Sequence, residues 1–293
     1  MTKVLQWFLI ILFLPEITFP QLPIYERHIK MPISGNCELE IGDMDIEGKT
    51  DEVPGFYSKV KTTLLGKIEG VDTTGLIEID HGDLNELYLS AEKEKVKAEV
   101  GDIYLDISEL TANSLNLRGL NLERKDKDKQ LSLFLGKTAE AEEDVFAQYG
   151  GGIRVKFYPK EAKVGFVLIS FLDDKSSANL PNLSPISSNV FSFFGSKQLK
   201  YIGSVESELA ISNYDPDKRK GNDVKKDMAM AVKLAGNRGE REMELSYNQI
   251  GKDYKTAGDP NLVSDKETFG IKANQPIKKA VLGTSYEKGK IRH

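Results

Sequence analysis

Long apolar runs, cysteines and tryptophans are nearly absent from this chain. Beyond the N-terminus no stretch reaches the ~20 consecutive apolar residues that a membrane-spanning helix needs, so a helical membrane protein is excluded. Cys37 is the only cysteine, and no disulfide can form within the chain. Trp7, the only tryptophan, lies in the N-terminal apolar run. An aromatic belt at a membrane interface would therefore have to use tyrosine and phenylalanine.

Recognisable catalytic motifs are also missing. No GxSxG, HExxH, P-loop or GxGxxG pattern occurs. The three histidines are His28, His81 and His293, of which the first and last lie near the termini, whereas a metal site needs several convergent ligands. The sequence therefore predicts no catalytic, cofactor-binding or metal-ligating residue, and we expect the protein not to be an enzyme.

One charged segment comes closest to a cation site. In "YDPDKRKGND", residues 214–223, the side chains of Asp215, Asp217 and Asp223 could approach a Ca²⁺ ion. The segment lacks both the ligand order of an EF-hand and its final glutamate. We interpret it as a charged loop and predict no bound metal.

The charge balance argues against nucleic acid as a partner. The chain has 40 basic and 45 acidic residues, for a net charge of -5, and its lysines are interleaved with acids. Binding to phosphates needs a concentrated basic face, which this distribution does not provide.

The N-terminus has the pattern of an export signal. Lys3 precedes an apolar run at residues 4–14, which is shorter than a bilayer span and fits the ~7 to 15 apolar residues of a secretory signal. The alternative is a buried N-terminal helix, because the usual small-residue cleavage site is poorly formed. We expect residues 1–21 to be a signal peptide and residues 22–293 to form one β-barrel-like domain.

What the chain does contain is a repeated alternation of apolar and polar residues, seen best in "LKYIGSVESELAIS" at residues 199–212. The odd-numbered positions, one parity of the strand, carry Leu199, Tyr201, Val205, Leu209 and Ile211. The even-numbered positions, the other parity, carry Glu206 and Glu208. Successive side chains of a β-strand point to opposite faces, so this period of two predicts a strand. We expect its apolar face to contact lipid and its glutamates to face a lumen.

Similar segments recur along the chain, separated by turn residues. Roughly fourteen strands can be counted without a helical period between them, and the longer ones meet the ~9 to 11 residues of a membrane-crossing strand. Short connections alternate with long polar ones, as in outer-membrane barrels. The predicted fold is an all-β antiparallel meander that closes, wholly or partly, into a transmembrane-type β-barrel.

Aromatic residues near the ends of the predicted strands suggest an interfacial girdle. They are Tyr158, Tyr201, Tyr247, Phe269 and Tyr286. The alternative explanation is that aromatic side chains favour strands in any β protein.

Three segments give the chain a resemblance to known proteins from about residue 86 onward. They are "VGDIYLDISELTANSLNLRGLNLE", "SNVFSFFGSKQLKYIGSVESELAISNYDPD" and "LSYNQIGKDYKTAGDPNLVSDKETFGIKA". These segments resemble uncharacterised porin-like outer-membrane β-barrels of Gram-negative bacteria, over about two-thirds of the chain. The resemblance implies a barrel in the cell outer membrane, but it assigns no substrate and no functional residue. Such barrels usually end in an aromatic residue, whereas this chain ends "SYEKGKIRH", so we expect either an incomplete barrel or a fragment of a longer protein.

Two functions fit these observations. The leading one is a porin-type outer-membrane β-barrel, in contact with lipid, that is a passive diffusion channel for small solutes or a surface scaffold. The alternative is a soluble periplasmic or surface β-sheet protein with a binding or structural role, in which the apolar parity packs against a second sheet. The segment "VGFVLISFL", residues 164–172, is apolar on both parities and favours the alternative, because a barrel open to water tolerates such a strand poorly.

Overall fold

The computed structural model describes most of the chain beyond residue 32. The described ranges are residues 33–44, 55–68, 70–80, 83–142, 145–178, 183–200, 203–220, 223–238, 241–259, 261–277 and 280–291. The expected signal peptide and the three histidines lie outside these ranges. Among the described residues, no helix is long and apolar enough to cross a membrane.

The regular elements of the described ranges are fifteen β-strands of 10 to 14 residues. They are β1 (Ile33–Met44), β2 (Gly55–Ile68), β3 (Val71–Asp80), β4 (Asp83–Lys93), β5 (Val96–Leu105), β6 (Leu115–Lys125), β7 (Lys129–Ala139), β8 (Gln148–Phe157), β9 (Ala162–Asp173), β10 (Ser187–Leu199), β11 (Gly203–Asp215), β12 (Lys225–Arg238), β13 (Arg241–Ile250), β14 (Lys266–Ile277) and β15 (Ala280–Ile291). The expectation of roughly fourteen strands was one short. These strands are about twice as long as the ~5 to 6 residues typical of globular proteins.

All fifteen strands belong to one sheet in which each strand pairs with its neighbours in sequence. Every pairing is antiparallel, from β1 with β2 to β14 with β15. The predicted all-β antiparallel meander is therefore confirmed.

The strand expected at residues 199–212 is the end of one strand and most of the next. Leu199 ends β10 and pairs with Gly203, which begins β11. Three residues lie between Leu199 and Gly203, so both have odd numbers and lie on the same face. The apolar–polar alternation of the sequence therefore continues across the turn as if it were one strand. The turn is marked by Gly203, whose φ of 111° favours glycine. The predicted start of the strand was wrong, whereas the opposite faces predicted for Leu209 and Glu208 are confirmed, with exposed fractions of 44% and 8%.

The sheet curves toward the side that carries Glu208, which we call the inner face. Ser108 lies three residues beyond β5, and its Oγ donates a 2.8 Å hydrogen bond to Glu208 Oε1 on β11. In a flat sheet β5 and β11 would be separated by six strand spacings, or about 29 Å. Three extended residues reach only about 10 Å. The hydrogen bond can form only because the intervening strands bend around the inner face.

The opposite side of the sheet, the outer face, carries large apolar side chains that are exposed. Those on β7 to β13 include Leu131, Leu133, Leu135, Leu168, Phe191, Phe193, Leu209, Ile211, Met228, Met243 and Leu245. The register places Leu209 beside Phe193 and Met230, so the apolar residues form a continuous band across neighbouring strands. No second sheet covers this band in the described part of the chain.

We expect Leu209→Arg to lower the free energy of unfolding in a bilayer by about 2–4 kcal/mol, because a cation at mid-strand on a face that contacts hydrocarbon must be dehydrated. Val205→Arg is the matched control, since Val205 lies on the same strand and face but near its end, where the cost falls to about 0–1 kcal/mol. Denaturant unfolding in lipid vesicles measures both values. Equal and small costs at the two positions would contradict a membrane-facing band.

Candidate functional site

The connection between β5 and β6 folds back over the inner face of the sheet. We call it loop A, residues 106–114. A turn in which Thr111 N donates to Ser108 O shapes its tip, and Ile107 N donates to Ala112 O across it. At its start, Arg154 on β8 donates from Nη1 to the carbonyl oxygen of Asp106. Loop A thereby lies against strands that are distant in sequence.

A single carboxylate on the sheet holds loop A in this position. Glu208 Oε1 accepts hydrogen bonds from Ser108 Oγ at 2.8 Å and from Thr111 Oγ1 at 3.4 Å, while Oε2 accepts one from Leu110 N at 3.4 Å. Ser192 on β10 donates a further 2.6 Å hydrogen bond to Oε1. Hydrogen bonds to a charged group are roughly twice as strong as neutral ones, so Glu208 is the main polar anchor of the loop.

The underside of loop A is apolar and packs on apolar residues of the inner face. Leu110 and Ala112 are buried in one cluster with Val167, Ile169 and Phe171 of β9. These three strand residues have exposed fractions of 0%, 0% and 1%. Residues 164–172 are therefore apolar on both parities because one parity forms the outer band while the other lies beneath a loop. The apolar character of both faces of this segment, which favoured packing against a second sheet, is therefore explained by loop A.

A second connection, between β13 and β14, covers loop A. We call it loop B, with described residues 251–259 and 261–265. The buried hydroxyl of Tyr254 donates a 2.6 Å hydrogen bond to Leu110 O, and Thr256 Oγ1 donates one of 2.7 Å to Thr111 O. A Cβ at Gly258 would lie 2.7 Å from both Ala112 Cβ and the Phe171 ring, so only glycine fits this approach.

Asp227 on β12 fixes the start of loop B. Its Oδ2 accepts a 2.8 Å hydrogen bond from Asp253 N, and the backbone of Gly251 packs directly against the carboxylate. Gly251 N also donates a 2.9 Å hydrogen bond to Met228 O. The two loops are thus anchored by different carboxylates, on β11 and on β12.

Beyond the area that the loops cover, the inner face is lined with charged pairs. Lys97 Nζ lies 2.7 Å from Glu99 Oε1, and Lys233 Nζ lies 2.8 Å from Glu244 Oε2. Lys272 Nζ lies 3.3 Å from the other oxygen of Glu244. The lysines of these pairs are partly exposed, so this part of the inner face is in contact with water.

Glu109 is an exposed acid at the tip of loop A. Partial desolvation near the inner face, and then the charge of Glu208, raise the pKa of Glu109 above its ordinary value. Glu206 and Glu244 act in the same direction, and Lys233 acts in the opposite one. Glu109 therefore holds its proton more tightly than a free glutamate does.

The segment considered for Ca²⁺ is a charged loop with internal ion pairs. Arg219 Nε lies 3.0 Å from Asp217 Oδ1, and Lys220 Nζ lies 3.4 Å from Oδ2. The Arg219 guanidinium holds the pKa of Asp217 well below its usual range. Within the described residues, no group of three or more histidines, cysteines and carboxylates could hold a metal ion.

The aromatic residues are divided between the two faces. Tyr247 and Phe269 are cross-strand partners on the outer face, and Tyr286 is exposed on it beside Ile271. Tyr158 instead donates a 2.7 Å hydrogen bond to Gln130, which is buried on the inner face, and Tyr201 lies outside the described residues.

Sequence analysis missed the two exposed tyrosines that lie near the long connections. Tyr104 and Tyr149 have exposed fractions of 63% and 46%. Each lies within two residues of the end of its strand, on the outer face. The strand boundaries were the signal that could have identified them.

The comparisons with known proteins agree with this architecture. No protein-family model and no curated protein matches the chain. Among solved structures, in-vitro folded OmpT, an outer membrane protein of Vibrio cholerae, aligns with a TM-score of 0.52 at 10% identity, over 88% of this chain and 84% of that one. A loop L8 deletion mutant of OmpT aligns with a TM-score of 0.50 at 12% identity, over 88% and 91% of the two chains. A mutant of the Rh. blastica porin aligns with a TM-score of 0.42 at 12% identity, over 88% and 94%.

These identities are low, so the likeness to OmpT concerns the fold. Together with the sequential antiparallel strands, it confirms the resemblance to outer-membrane β-barrels that the sequence indicated. The chain has the fold of an outer-membrane β-barrel protein.

We expect Glu208→Ala to release loop A, because it removes the acceptor of three hydrogen bonds from the loop. Charge-assisted hydrogen bonds contribute about 1.5–3 kcal/mol each, so amide exchange at residues 107–112 should accelerate at least about tenfold. Glu206→Ala is the matched control, since Glu206 lies on the same face of β11 with an exposed side chain. Hydrogen exchange measured by mass spectrometry resolves the loop peptide. Unchanged protection in Glu208→Ala would show that the other contacts of the loop hold it without Glu208.

We expect loop A to be held more firmly at acid pH. The pKa of Glu109 is raised in the folded protein, so its contribution to stability is fully present below the ordinary value of 4.5 and is lost as the pH rises through the raised pKa. Exchange of loop A amides, corrected for the intrinsic effect of pH, should therefore accelerate across this window. Glu109→Gln should abolish the acceleration, and Glu142→Gln, which removes an exposed acid elsewhere, should preserve it. Identical profiles for wild type and Glu109→Gln would contradict this assignment.

Proposed function

We propose that the protein is a porin-type channel of the cell outer membrane, through which small solutes diffuse passively. Loops A and B narrow its lumen, and the inner face is the wall that solutes meet. In this reading the partners of the protein are outer-membrane lipid on the outer face and small solutes inside. No catalytic activity, cofactor or metal belongs to this function.

The single observation that carries the proposal is the opposite chemistry of the two faces along each strand. On β11, Leu209 and Ile211 are each 44% exposed, whereas Glu208 and Ser212 are buried on the inner side. A soluble protein rarely leaves such a broad apolar band open to water. A membrane protein needs an apolar exterior and a polar interior.

The loops support a channel more than a surface scaffold. A scaffold needs only rigid strands, and its connections can extend into solvent. Here two connections fold inward and join each other, through the bonds of Tyr254 and Thr256 to the loop A backbone. Loops that fold inward, and leave uncovered charged side chains on the inner face beside them, are suited to restricting the passage of solutes.

The test is the conductance of the purified protein in planar lipid bilayers. Folded protein should give discrete, steady current steps, and its gel mobility should change on boiling. Replacing residues 107–113 by a short glycine linker should increase the size of the steps, because the narrowing loop is removed. Shortening the turn at residues 126–128, between β6 and β7, is the control and should leave the step size unchanged.

Protein whose mobility shift proves that it is folded, but which gives no current above the lipid background, would refute the channel. If the same protein fractionated with the soluble fraction, the periplasmic or surface β-sheet module would become the better account.

A further inference from the structure

Three neighbouring cations on the described part of the inner wall form no salt bridge. They are Arg154 and Lys156 on β8 and Lys163 on β9. Register places all three on the inner face, because Lys156 pairs with Gly165, Lys163 pairs with Ser196, and Arg154 pairs with Val167. Within the described ranges, no salt bridge forms at any of them.

Several lysines elsewhere on the same wall are paired. Lys61, Lys97, Lys233 and Lys272 have carboxylate oxygens at 3.5, 2.7, 2.8 and 3.3 Å. Strand composition therefore does not force lysines on this face to remain unpaired. On β8 and β9, by contrast, three cations without a salt bridge lie close together.

The nearest inner-face carboxylate in the register is two strands away. Arg154 lies opposite Ser132 on β7, which in turn lies opposite Glu123 on β6. Ser132 Oγ donates a 3.4 Å hydrogen bond to Glu123. The charges of Glu123 and of Asp106, at the start of loop A, attract Arg154 and Lys156, but neither acid forms a salt bridge with them.

Arg154 has unused capacity for a ligand. Its side chain is 7% exposed, its Nη1 donates to a loop A carbonyl, and its Nε has no hydrogen-bond partner among the described atoms. Buried guanidinium N–H groups without partners are costly, and an anion would satisfy them.

The two lysines flank an aromatic surface. Phe194 lies over Gly165, where any Cβ would come within 2.6 Å of its ring, and Lys163 Nζ is 5.8 Å from the ring centroid. Both lysines are partly buried. The site thus combines two partly buried lysines, a buried donor and an apolar platform.

We propose that Arg154, Lys156 and Lys163 form an anion-binding subsite on the channel wall and that the protein favours small solutes bearing a carboxylate or phosphate group. This inference rests on the proposed channel function and names its substrate class. Anions would be concentrated beside loop A by the positive charges of β8 and β9.

The experiment compares wild type with the double variant Lys156→Gln, Lys163→Gln in two independent measurements. The first is the reversal potential in bilayers under a KCl gradient, which gives the ratio of anion to cation permeability. The second is the stabilisation of detergent-solubilised protein by inorganic phosphate or acetate, read as a shift in the temperature at which gel mobility changes.

Lys197→Gln is the matched control. Lys197 pairs with Ala162 and lies on the outer face, next in sequence to Ser196, the cross-strand partner of Lys163. It removes one positive charge, half of the change made by the double variant, within one residue of the site but on the other side of the sheet.

Wild type and Lys197→Gln should favour anions and should be stabilised by both oxyanions. The double variant should lose that stabilisation, and its permeability ratio should fall by about fivefold. A conducting protein whose ratio and oxyanion response are the same in all three forms would overturn the subsite and leave the channel intact. Absence of conductance together with oxyanion binding that the double variant loses would overturn the channel and retain the anion subsite.

Discussion

The contact between Glu208 and loop A is the interaction on which the inner side of the sheet depends. An isolated carboxylate on an apolar inner wall would be strongly unfavourable, and a loop of exposed backbone groups lying on that wall would be equally so. Each satisfies the other, through hydrogen bonds from Ser108, Leu110 and Thr111. Once loop A is fixed, loop B has a surface to cover, and its Tyr254 and Thr256 bond to the loop A carbonyl oxygens.

This arrangement gives the protein a hydrophobic core although the strands of the described ranges form a single sheet. A single sheet with an apolar outer face has no second layer against which to bury its inner residues. Loop A supplies that layer over β9, where Ile169 and Phe171 have exposed fractions of 0% and 1%. Burying each side chain of this size stabilises the fold by about 1.5–3 kcal/mol, as an upper range. The loops are therefore part of the folding unit and cannot be treated as appendages of the sheet.

The strand pattern could be predicted from the sequence because alternation is a local property. The antiparallel order, the long strands and the faces of Leu209 and Glu208 were all recovered from it. The boundary at Leu199 and Gly203 was not, because three residues in the turn leave the two partners on the same parity. A turn of this length does not interrupt an alternation with a period of two, so the alternation cannot reveal it. In the structure, the positive φ of Gly203 marks its position.

The loop contacts could not be predicted, because they join residues far apart in sequence. Ser108 and Glu208 are 100 residues apart, and Tyr254 and Leu110 are 144 apart. In the sequence, loop A reads as an ordinary polar connection, and Glu208 reads as one of several wet-face acids. The apolar residues on the inner face of residues 164–172, such as Ile169, were the local sign that another segment covers this face. From the sequence alone, a second sheet explains them equally well.

The covered and uncovered parts of the inner face have different requirements, and this difference points to where solutes would travel. Beneath the loops, polar groups must find protein partners, and Glu208 and Ser192 do so at 2.6 Å. Beside the loops, charged side chains can be solvated by water, so they do not need a salt-bridge partner. Salt bridges are unevenly distributed over this part of the wall, since Lys233 is paired with Glu244 whereas Lys156 forms none. An unequal distribution of charge across a narrow, partly desolvated passage acts on every ion that enters it, since fields are less screened there than in bulk water.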